Sequence, residues 1–280
     1  MRQNIRRAAV AGSWYPGSRA ALAVAVDRHL AHTSRDIDGE LVALIAPHAG
    51  LMYSGPVAAH AYRLLRDRQF DVAVLVGPSH FVAFGGVSIY PLGGFETPFG
   101  IAPIDAACAQ ALMDATPIVR EHPPAHVREH SLEMQLPFVQ HLAPGVPIVP
   151  LVMGLQTAET AASLGEALSR VLRGRRALLV ASTDLSHYHD ARTAAALDQV
   201  VIDCVARCDP DALQTALDVE PGHACGGGPM VAVMRAARLL GARDAVVLNY
   251  ADSGDVSGDK SAVVGYLAAA LGTFTERVAK

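Results

Sequence analysis

Two histidines follow apolar runs that end in turn-forming residues. His48 comes after the run 41–46 and one proline, and His80 comes after the run 72–76 and a Gly-Pro-Ser segment. Short runs of aliphatic and β-branched residues that end at turn formers are typical of buried parallel strands. Because open α/β sheets bind their ligands at the carboxyl ends of strands, the two imidazoles are candidate metal ligands at one edge. Either histidine taken alone could instead be a hydrogen-bonded structural residue.

A cysteine in a glycine-rich segment is the candidate for a third ligand. Cys225 lies in the segment 222–229, directly before a helix predicted at 228–240. The positive field at a helix start lowers the pKa of a thiol and favours thiolate, which can ligate a metal or act as a nucleophile. In the alternative interpretation, the glycines hold an anion and the cysteine only fills space. His223 is the candidate substitute ligand.

An aspartate and a histidine follow another apolar run, at 177–180. Asp184 and His187 are three residues apart on the predicted first turn after this strand. A carboxylate at that spacing can orient or charge an imidazole, so His187 is a candidate general acid or base. The alternative is that Asp184 caps a helix and that His187 is solvated.

A polar segment and two aromatic residues are the remaining candidates for a pocket. Glu129 and Glu133 are four residues apart, with His130 between them, and would share one face of a predicted helix. This face is either a solvated helix start or a buried polar cluster beside the apolar residues that follow. Trp14 and Tyr53 are candidates for the pocket wall, although aromatic side chains serve equally in a core.

Strand and helix patterns alternate along the chain. Strands are predicted near 41–46, 71–76, 86–91, 147–152, 177–183, 245–250 and 261–267, and helices near 18–32, 55–67, 105–115, 131–142, 158–173, 191–207, 210–217 and 228–240. This alternation predicts a single α/β domain over residues 1–280, with a mainly parallel central sheet flanked by helices. The segment 84–104 is predicted as a hairpin or lid, and the segment 116–130 as a loop.

Composition excludes several classes of function. Of the 280 residues, 51% are hydrophobic and 18% are charged, and the net charge is −4 without a basic cluster. These values give no electrostatic basis for binding nucleic acid, and no apolar stretch approaches the length of a membrane span. The N-terminal apolar segment is too short for a signal peptide, so we expect a cytoplasmic location. The four cysteines form no CxxC pair and indicate no disulfide framework, and the apolar composition leaves room for a homodimer.

Several short motifs, taken together, resemble the Memo family, which includes the AmmeMemoRadiSam system protein B of bacteria and archaea. The motifs are Pro47-His48-Ala49-Gly50, Gly77-Pro78-Ser79-His80, Glu129-His130-Ser131-x-Glu133-x-Gln135-Leu136-Pro137-Phe138, Ser182-Thr183-Asp184-Leu185-Ser186-His187 and Cys225-Gly226, with the N-terminal segment 11–16 and the C-terminal segment 250–254. Each motif is unspecific by itself, but their order along the chain is specific and spans nearly all of it.

Membership of this family would imply a fold and a metal site. The family resembles the class III extradiol dioxygenases, which are non-haem Fe(II) enzymes, and this likeness implies their phosphorylase/hydrolase-like α/β fold. The resemblance implies metal ligation by His48, His80 and Cys225, and a role for His187 as acid or base beside Asp184. Those dioxygenases use a carboxylate where this chain has Cys225, and the softer thiolate favours Cu or Zn as well as Fe(II).

Three functions are compatible with these residues. The first is an iron or copper dioxygenase or oxidase that acts on a small molecule, such as an aromatic compound, or on a peptide. The second is a zinc hydrolase with Glu129 or Glu133 as the base. The third is a binding module without turnover that holds an anion or a phosphopeptide, because animal members of the family are linked to phosphotyrosine peptides. The resemblance also implies pathway partners of the AMMECR1-like and radical-SAM types.

Overall fold

The computed structural model of the chain describes residues 4–33 and 37–275. Its strands are β1 (Ile5–Arg6), β2 (Asp38–Ala46), β3 (Val72–Pro78), β4 (Val87–Ile89), β5 (Gly94–Thr97), β6 (Gly100–Pro103), β7 (Val119–Glu121), β8 (Ile148–Met153), β9 (Ala177–Ser182), β10 (His187–His189), β11 (Asp244–Asp252) and β12 (Val263–Thr275). Its helices are α1 (Arg19–Ala31), α2 (Leu51–Tyr62), α3 (Ala106–Ala115), α4 (Pro124–Val127), α5 (Leu136–Leu142), α6 (Ala158–Leu172), α7 (Ala191–Ala206), α8 (Pro210–Val219), α9 (Gly227–Leu239) and α10 (Gly254–Ser257). Short 3₁₀ turns occur at Arg63–Leu65, Glu133–Gln135 and Pro221–His223. None of the helices in these described ranges is both long and apolar enough to span a membrane.

The central sheet has nine strands within the described residues, in the order β10-β12-β2-β9-β3-β8-β4-β7, with β11 also paired to β12. The central strands β2, β9, β3 and β8 run parallel. β12 pairs antiparallel with β2, β10 and β11, and β4 pairs antiparallel with β8. The predicted α/β class is confirmed, but the sheet is mixed rather than mainly parallel. The connection from β11 to β12 covers only residues 253–262, and strands joined without a long crossover pair antiparallel.

Alternation of side chains along the central strands gives the sheet a core on each face. On β3, Val72, Val74 and Val76 pack on one face, whereas Ala73 and Leu75 pack on the other. The first face is covered by α3, α6, α7, α8 and α9, and the second by α1, α2 and α5. Because both faces are buried, the central strands appear in the sequence as continuous apolar runs.

A smaller sheet of three strands, in the order β1-β5-β6, lies outside the central sheet. β5 and β6 pair antiparallel, so the segment 84–104 contains the predicted hairpin. β1 adds to this hairpin in parallel, with Ile5 opposite Gly94. The sequence pattern does not predict β1, because a strand of two residues has no periodicity.

Some boundaries differ from the predicted ones for reasons of tertiary structure. The segment 116–130 contains β7 and α4 and is not only a loop. α2 begins at Leu51 rather than near 55, and the N–H of Leu51 donates to the carbonyl of Trp14 at 2.8 Å. This bond joins the helix start to the N-terminal loop. β12 continues to Thr275, beyond the predicted end at 267, because it pairs along both β2 and β11.

Candidate metal centre

The central strands β2, β9 and β3 deliver polar residues to one edge of the sheet. Each strand ends two residues before a polar side chain, with His48 after β2, His80 after β3 and Asp184 after β9. β9 lies between the other two strands and pairs parallel with both, so the three strand ends are neighbours. Cys225 approaches the same edge from the segment that precedes α9. The structure therefore brings together residues from four separate parts of the chain.

The three predicted ligands form a compact group. One ring nitrogen each of His48 and His80 and the Sγ of Cys225 all lie within 4.8 Å of one another. The His48 Nε2 is 3.2 Å from Cys225 Sγ. The ligand atoms of a four-coordinate transition metal lie roughly 3–4 Å apart, since metal–ligand bonds are about 2.0–2.3 Å long. His48 is buried, whereas the His80 side chain is 27% exposed, so the group fits an ion and opens to solvent on the His80 side.

Both imidazoles are anchored through Nδ1. His48 Nδ1 lies 2.8 Å from the Ser182 hydroxyl, and His80 Nδ1 lies 2.8 Å from a carboxylate oxygen of Glu129. The backbone N–H of His80 also donates to Glu129, at 2.7 Å. Burial alone would raise the pKa of Glu129, but the hydrogen bonds and charge of His80 hold this pKa at about 2. Glu129 is therefore a carboxylate that accepts from His80 Nδ1. In the neutral form of His80 the lone pair is then on Nε2, where a metal could bind.

A second group with metal-ligand spacing overlaps the first. His80, Glu129 and His130 also bring ligand atoms within 4.8 Å of one another. However, Glu129 Oε1 already accepts from the backbone N–H groups of His130 and Ser131, at 3.0 and 2.9 Å, in addition to His80 Nδ1. Oε1 therefore has no lone pair left for an ion, and Oε2 already accepts from the backbone N–H of His80 at 2.7 Å. The group that contains Cys225 is therefore the better candidate.

Asp184 stabilises the loop that carries His48. Its Oδ1 accepts from the backbone N–H groups of His48 and Ala49, at 2.7 and 3.3 Å. Burial raises the pKa of this carboxyl, and the His48 hydrogen bond and the His187 charge partly offset the rise. His187 is half-buried and begins β10, next to the exposed Tyr188. The alternative in which Asp184 caps a helix is wrong, because a strand follows it.

The pKa of the Cys225 thiol is raised, whereas the sequence predicts that it is lowered. Burial and the negative charge of Asp184 raise the pKa of Cys225, whereas its position before a helix predicts a lowered pKa. The helix start is present, since α9 begins at Gly227. Loss of hydration around the thiolate outweighs the field of the helix. A thiolate at this position requires a cation beside it, and a bound metal ion meets that requirement.

Aromatic rings lie along the open side of the ligand group. The ring centroid of His130 is 4.4 Å from that of Trp14, 4.5 Å from that of His80 and 5.9 Å from that of Phe81. Burial and the neighbouring imidazoles lower the pKa of His130 to about 4, so this ring is neutral at pH 7. Trp14 and Phe81 are 38% and 48% exposed, so they present ring surface to solvent beside the ligands.

Glu133 does not share a helix face with Glu129, and that prediction is wrong. Glu129 precedes the 3₁₀ turn that Glu133 begins, and α5 starts only after this turn. Glu133 forms a buried ion pair with Arg6 and accepts from the Tyr15 hydroxyl at 2.6 Å. It also accepts from two backbone N–H groups of the N-terminal segment, at 2.8 and 3.0 Å. Its role is to hold the N-terminal segment against the sheet edge.

The two other pocket candidates occupy different positions. Tyr53 is half-buried on α2, and its ring lies close to Gly50 in the loop that follows His48. His223 is buried in the 3₁₀ turn Pro221–His223. His223 belongs to neither candidate ligand group among the described residues.

Sequence reasoning misses two residues that lie behind His48. Ser182 contacts His48 directly, and Gln135 Nε2 donates to Ser182 Oγ at 2.8 Å. Both residues fall inside motifs that carry the family resemblance. Serine and glutamine rarely ligate metals in proteins, so their residue types gave no reason to single them out.

The fold and the site define an α/β protein with a candidate transition-metal centre at the carboxyl edge of its central sheet. Residues 6–270 match the family model described as Memo-like protein. A MEMO1 family protein of Methanothermobacter thermautotrophicus is 40% identical over 276 residues, which cover 94% of this chain and 98% of the relative. A MEMO1 family protein of Thermotoga petrophila is 35% identical, over 95% of this chain and 99% of the relative. The chain therefore belongs to the Memo family.

A solved structure supports the fold independently. An uncharacterized protein from Escherichia coli K12 superposes with a TM-score of 0.56 at 17% sequence identity. The similarity covers 81% of this chain and 99% of that chain. At this level of identity it supports the α/β fold alone.

Proposed function

We propose that this protein is a metal-dependent oxidoreductase with a non-haem iron or copper ion held by His48, His80 and Cys225. One observation carries the proposal: ligand atoms of these three residues lie within 4.8 Å of one another. Two imidazoles and one thiolate would hold such an ion and would leave it accessible to substrate and O₂. When bound, an iron or copper ion supplies the redox chemistry.

The residues around the ligand group would bind and orient the substrate. Trp14, Phe81 and His130 form a wall of rings on the open side, with centroid distances of 4.4 Å (Trp14–His130) and 5.9 Å (Phe81–His130). Rings in this arrangement bind a planar aromatic group by stacking and exclude water from it. We therefore favour an aromatic small molecule, or an aromatic side chain of a peptide, as the substrate.

His187 is the residue best placed to move a proton. It is half-buried at the start of β10, where its imidazole interacts electrostatically with Asp184. In this role His187 accepts a proton from a substrate hydroxyl at Nδ1 or Nε2, and returns it to the product. Asp184 positions the His48 loop through two backbone hydrogen bonds.

The structure offers less support for the other two functions. A hydrolase needs a free general base, but Glu129 is occupied by His80 and Glu133 by Arg6. An anion-binding module needs free N–H groups at the glycine-rich helix start. The N–H of Gly226 donates to the Thr183 hydroxyl at 2.9 Å, and that of Gly228 donates to the Gln156 side chain at 2.7 Å.

The test begins with anaerobically purified protein loaded in parallel with Fe(II), Cu(I) or Zn(II). After removal of free ions, bound metal is measured by mass spectrometry, and O₂ uptake is recorded with catechol and protocatechuate. We expect about one bound ion per chain, with O₂ uptake for iron or copper and none for zinc. Absence of bound metal at saturating ion overturns the metal site.

The His187→Ala variant tests whether O₂ uptake depends on the proposed site or comes from adventitious metal chemistry. His187→Ala should keep full metal occupancy and lose O₂ uptake, because His187 is outside the ligand group among the described residues. Undiminished O₂ uptake in His187→Ala removes this residue from the mechanism. Bound iron or copper without O₂ uptake for any substrate rejects the oxidoreductase and retains the metal site.

A further inference from the structure

We propose that a buried hydrogen-bond chain of Tyr62, Gln135 and Ser182 sets the tautomer of the His48 imidazole and so directs its Nε2 lone pair toward the ligand group. Gln135 and Ser182 are then positioning residues that act on the metal through His48. The effect on metal binding rests on the proposed function. The hydrogen-bond directions follow from the protein side chains alone. All four side chains are buried.

The orientation of the Gln135 amide is determined by an acceptor that cannot donate. Its Nε2 lies 3.1 Å from the carbonyl oxygen of Pro47, so the nitrogen and not the oxygen must face this carbonyl. The amide oxygen of Gln135 then faces Tyr62, whose hydroxyl donates to it at 2.7 Å. The second N–H of Gln135 points to Ser182 Oγ at 2.8 Å, with the Ser131 carbonyl farther away at 3.3 Å.

The single proton of Ser182 has one position that satisfies all its neighbours. Ser182 Oγ lies 2.7 Å from the carbonyl oxygen of Ser131, which can only accept. If Ser182 donated to His48 instead, two oxygens with no proton between them would face each other at 2.7 Å. Ser182 therefore donates to Ser131 and accepts from Gln135.

The remaining lone pair of Ser182 determines the state of His48. His48 Nδ1 is 2.8 Å from Ser182 Oγ and has to donate to it, because the serine proton is already used. His48 is therefore protonated at Nδ1, and its Nε2 carries the lone pair. That Nε2 faces Cys225 Sγ at 3.2 Å. The ring is held in the form that a metal requires before any metal binds.

A second serine–histidine pair in the same protein has the same hydrogen-bond direction but uses the other ring nitrogen, and it serves as a control. Ser88 Oγ donates to the carbonyl of His122 at 3.0 Å, so it accepts from His126 Nε2 at 2.9 Å. His126 is thus protonated at Nε2, and its Nδ1 is buried without a hydrogen-bond partner among the described residues. The pair has the same residue types and burial but no ligand neighbours in the described part of the chain.

The experiment uses metal-free protein with ¹⁵N-labelled histidine. Long-range ¹H–¹⁵N NMR spectra distinguish Nδ1–H from Nε2–H imidazoles. We expect Nδ1–H for His48 and Nε2–H for His126 in the unmodified protein. Ser182→Ala should convert His48 to a mixture of tautomers, and Gln135→Met should do so to a smaller extent, because Ser182 keeps its bond to Ser131. An Nε2–H signal for His48 in the unmodified protein overturns the inference.

Metal affinity is then measured for the same proteins by competition with a chelator, using Zn(II) as the probe ion. Ser182→Ala should weaken binding by about 10- to 100-fold, whereas Ser88→Ala should leave affinity unchanged. Equal Zn(II) affinity in Ser182→Ala and the unmodified protein also overturns the inference. If the unmodified protein binds no metal but the NMR result is as expected, the proposed function fails and the hydrogen-bond chain stands.

Discussion

Two buried serine–histidine pairs in this protein look alike locally and differ in what faces the free ring nitrogen. The Ser182–His48 distance is 2.8 Å and the Ser88–His126 distance is 2.9 Å, and both imidazoles are at most 2% exposed. Nε2 of His48 faces Cys225 Sγ at 3.2 Å, whereas Nδ1 of His126 has no hydrogen-bond partner within residues 4–33 and 37–275. Burial and hydrogen bonding alone therefore do not distinguish a candidate ligand from a structural histidine. The two histidines differ in the group that the free ring nitrogen faces.

The surroundings of the two pairs explain the difference. His48 follows the carboxyl end of β2, where neighbouring strands bring other polar groups. His126 lies on α4 at the side of the sheet, where the rings of Tyr90 and Phe95 pack at centroid distances of 5.5 and 6.1 Å. Burial and the positive charge of Arg6 lower the pKa of His126 to about 3. His126 is therefore a neutral structural histidine.

Removal of a ligand should give the largest difference between the two pairs. His48→Ala or His80→Ala should abolish measurable metal binding with the fold retained, because two remaining ligands cannot hold the ion. The matched variant His126→Gln should keep full metal occupancy and lose about 1–3 kcal/mol of stability, since a buried hydrogen bond of Ser88 is disturbed. Metal analysis and urea unfolding measure both quantities. Full occupancy in His48→Ala would reject the ligand assignment.

Replacement of the thiol should separate soft from hard ions. Cys225→Ser should weaken Cu(I) binding by about 100-fold or more and Fe(II) binding by about 10-fold, because thiolate prefers soft metals. Competition titrations with each ion give the two ratios. Cys204→Ser, at a buried cysteine outside the ligand groups, should change neither. An equal loss of affinity for Cu(I) and Fe(II) in Cys225→Ser would count against thiolate ligation.

The carboxylate behind His80 should contribute less than a ligand. Glu129→Gln retains the shape of the side chain but removes the charge that accepts from His80 Nδ1 at 2.8 Å. We expect metal affinity to fall by about 10- to 100-fold. Glu133→Gln is the control, since it breaks the buried pair with Arg6 and should reduce stability without changing metal affinity in the folded protein. A metal affinity that does not change in Glu129→Gln would contradict the assigned role.

The last prediction concerns acid stability and His126. The pKa of His126 is about 3 in the folded protein and 6.5 in the unfolded chain. Between these pH values the unfolded chain binds a proton at His126 and the folded protein does not. This contribution to stability is complete above pH 6.5 and is lost as the pH falls toward 3. The slope is about 1.4 kcal/mol per pH unit. His126→Gln should therefore lose less stability between pH 7 and pH 5, as measured by urea unfolding. If the unmodified protein and His126→Gln lose the same free energy of unfolding, groups other than His126 determine the acid stability.

Much of the fold is predictable from the sequence, and the exceptions are short or depend on distant partners. β2, β3, β8 and β9 are predicted because burial on both faces makes each one a continuous apolar run. β7, β10 and α4 are missed, because segments of three or four residues carry no periodic pattern. The antiparallel side of the sheet is also missed, since it depends on how β12 pairs with its neighbours.

The sequence by itself determined where polar residues leave the central strands. His48, His80 and Asp184 each follow a buried run, so spacing alone predicts that they approach the carboxyl edge of the sheet. The helix after Cys225 does not by itself predict which edge this residue approaches. The resemblance to the Memo family added the pairing of these residues into one site.

The tertiary structure alone decided which atoms face one another. Ser182 acts on His48 across 134 residues and Glu129 acts on His80 across 49, so neither contact has a local signature. The pKa of Cys225 also has no local signature. Burial and the charge of Asp184 raise this pKa, although the position of Cys225 before a helix predicts a lowered pKa. Hydrogen-bond direction and desolvation depend on groups that only the folded chain brings together. Hydrogen-bond direction and desolvation therefore determine which atoms of the predicted residues are available as candidate metal ligands.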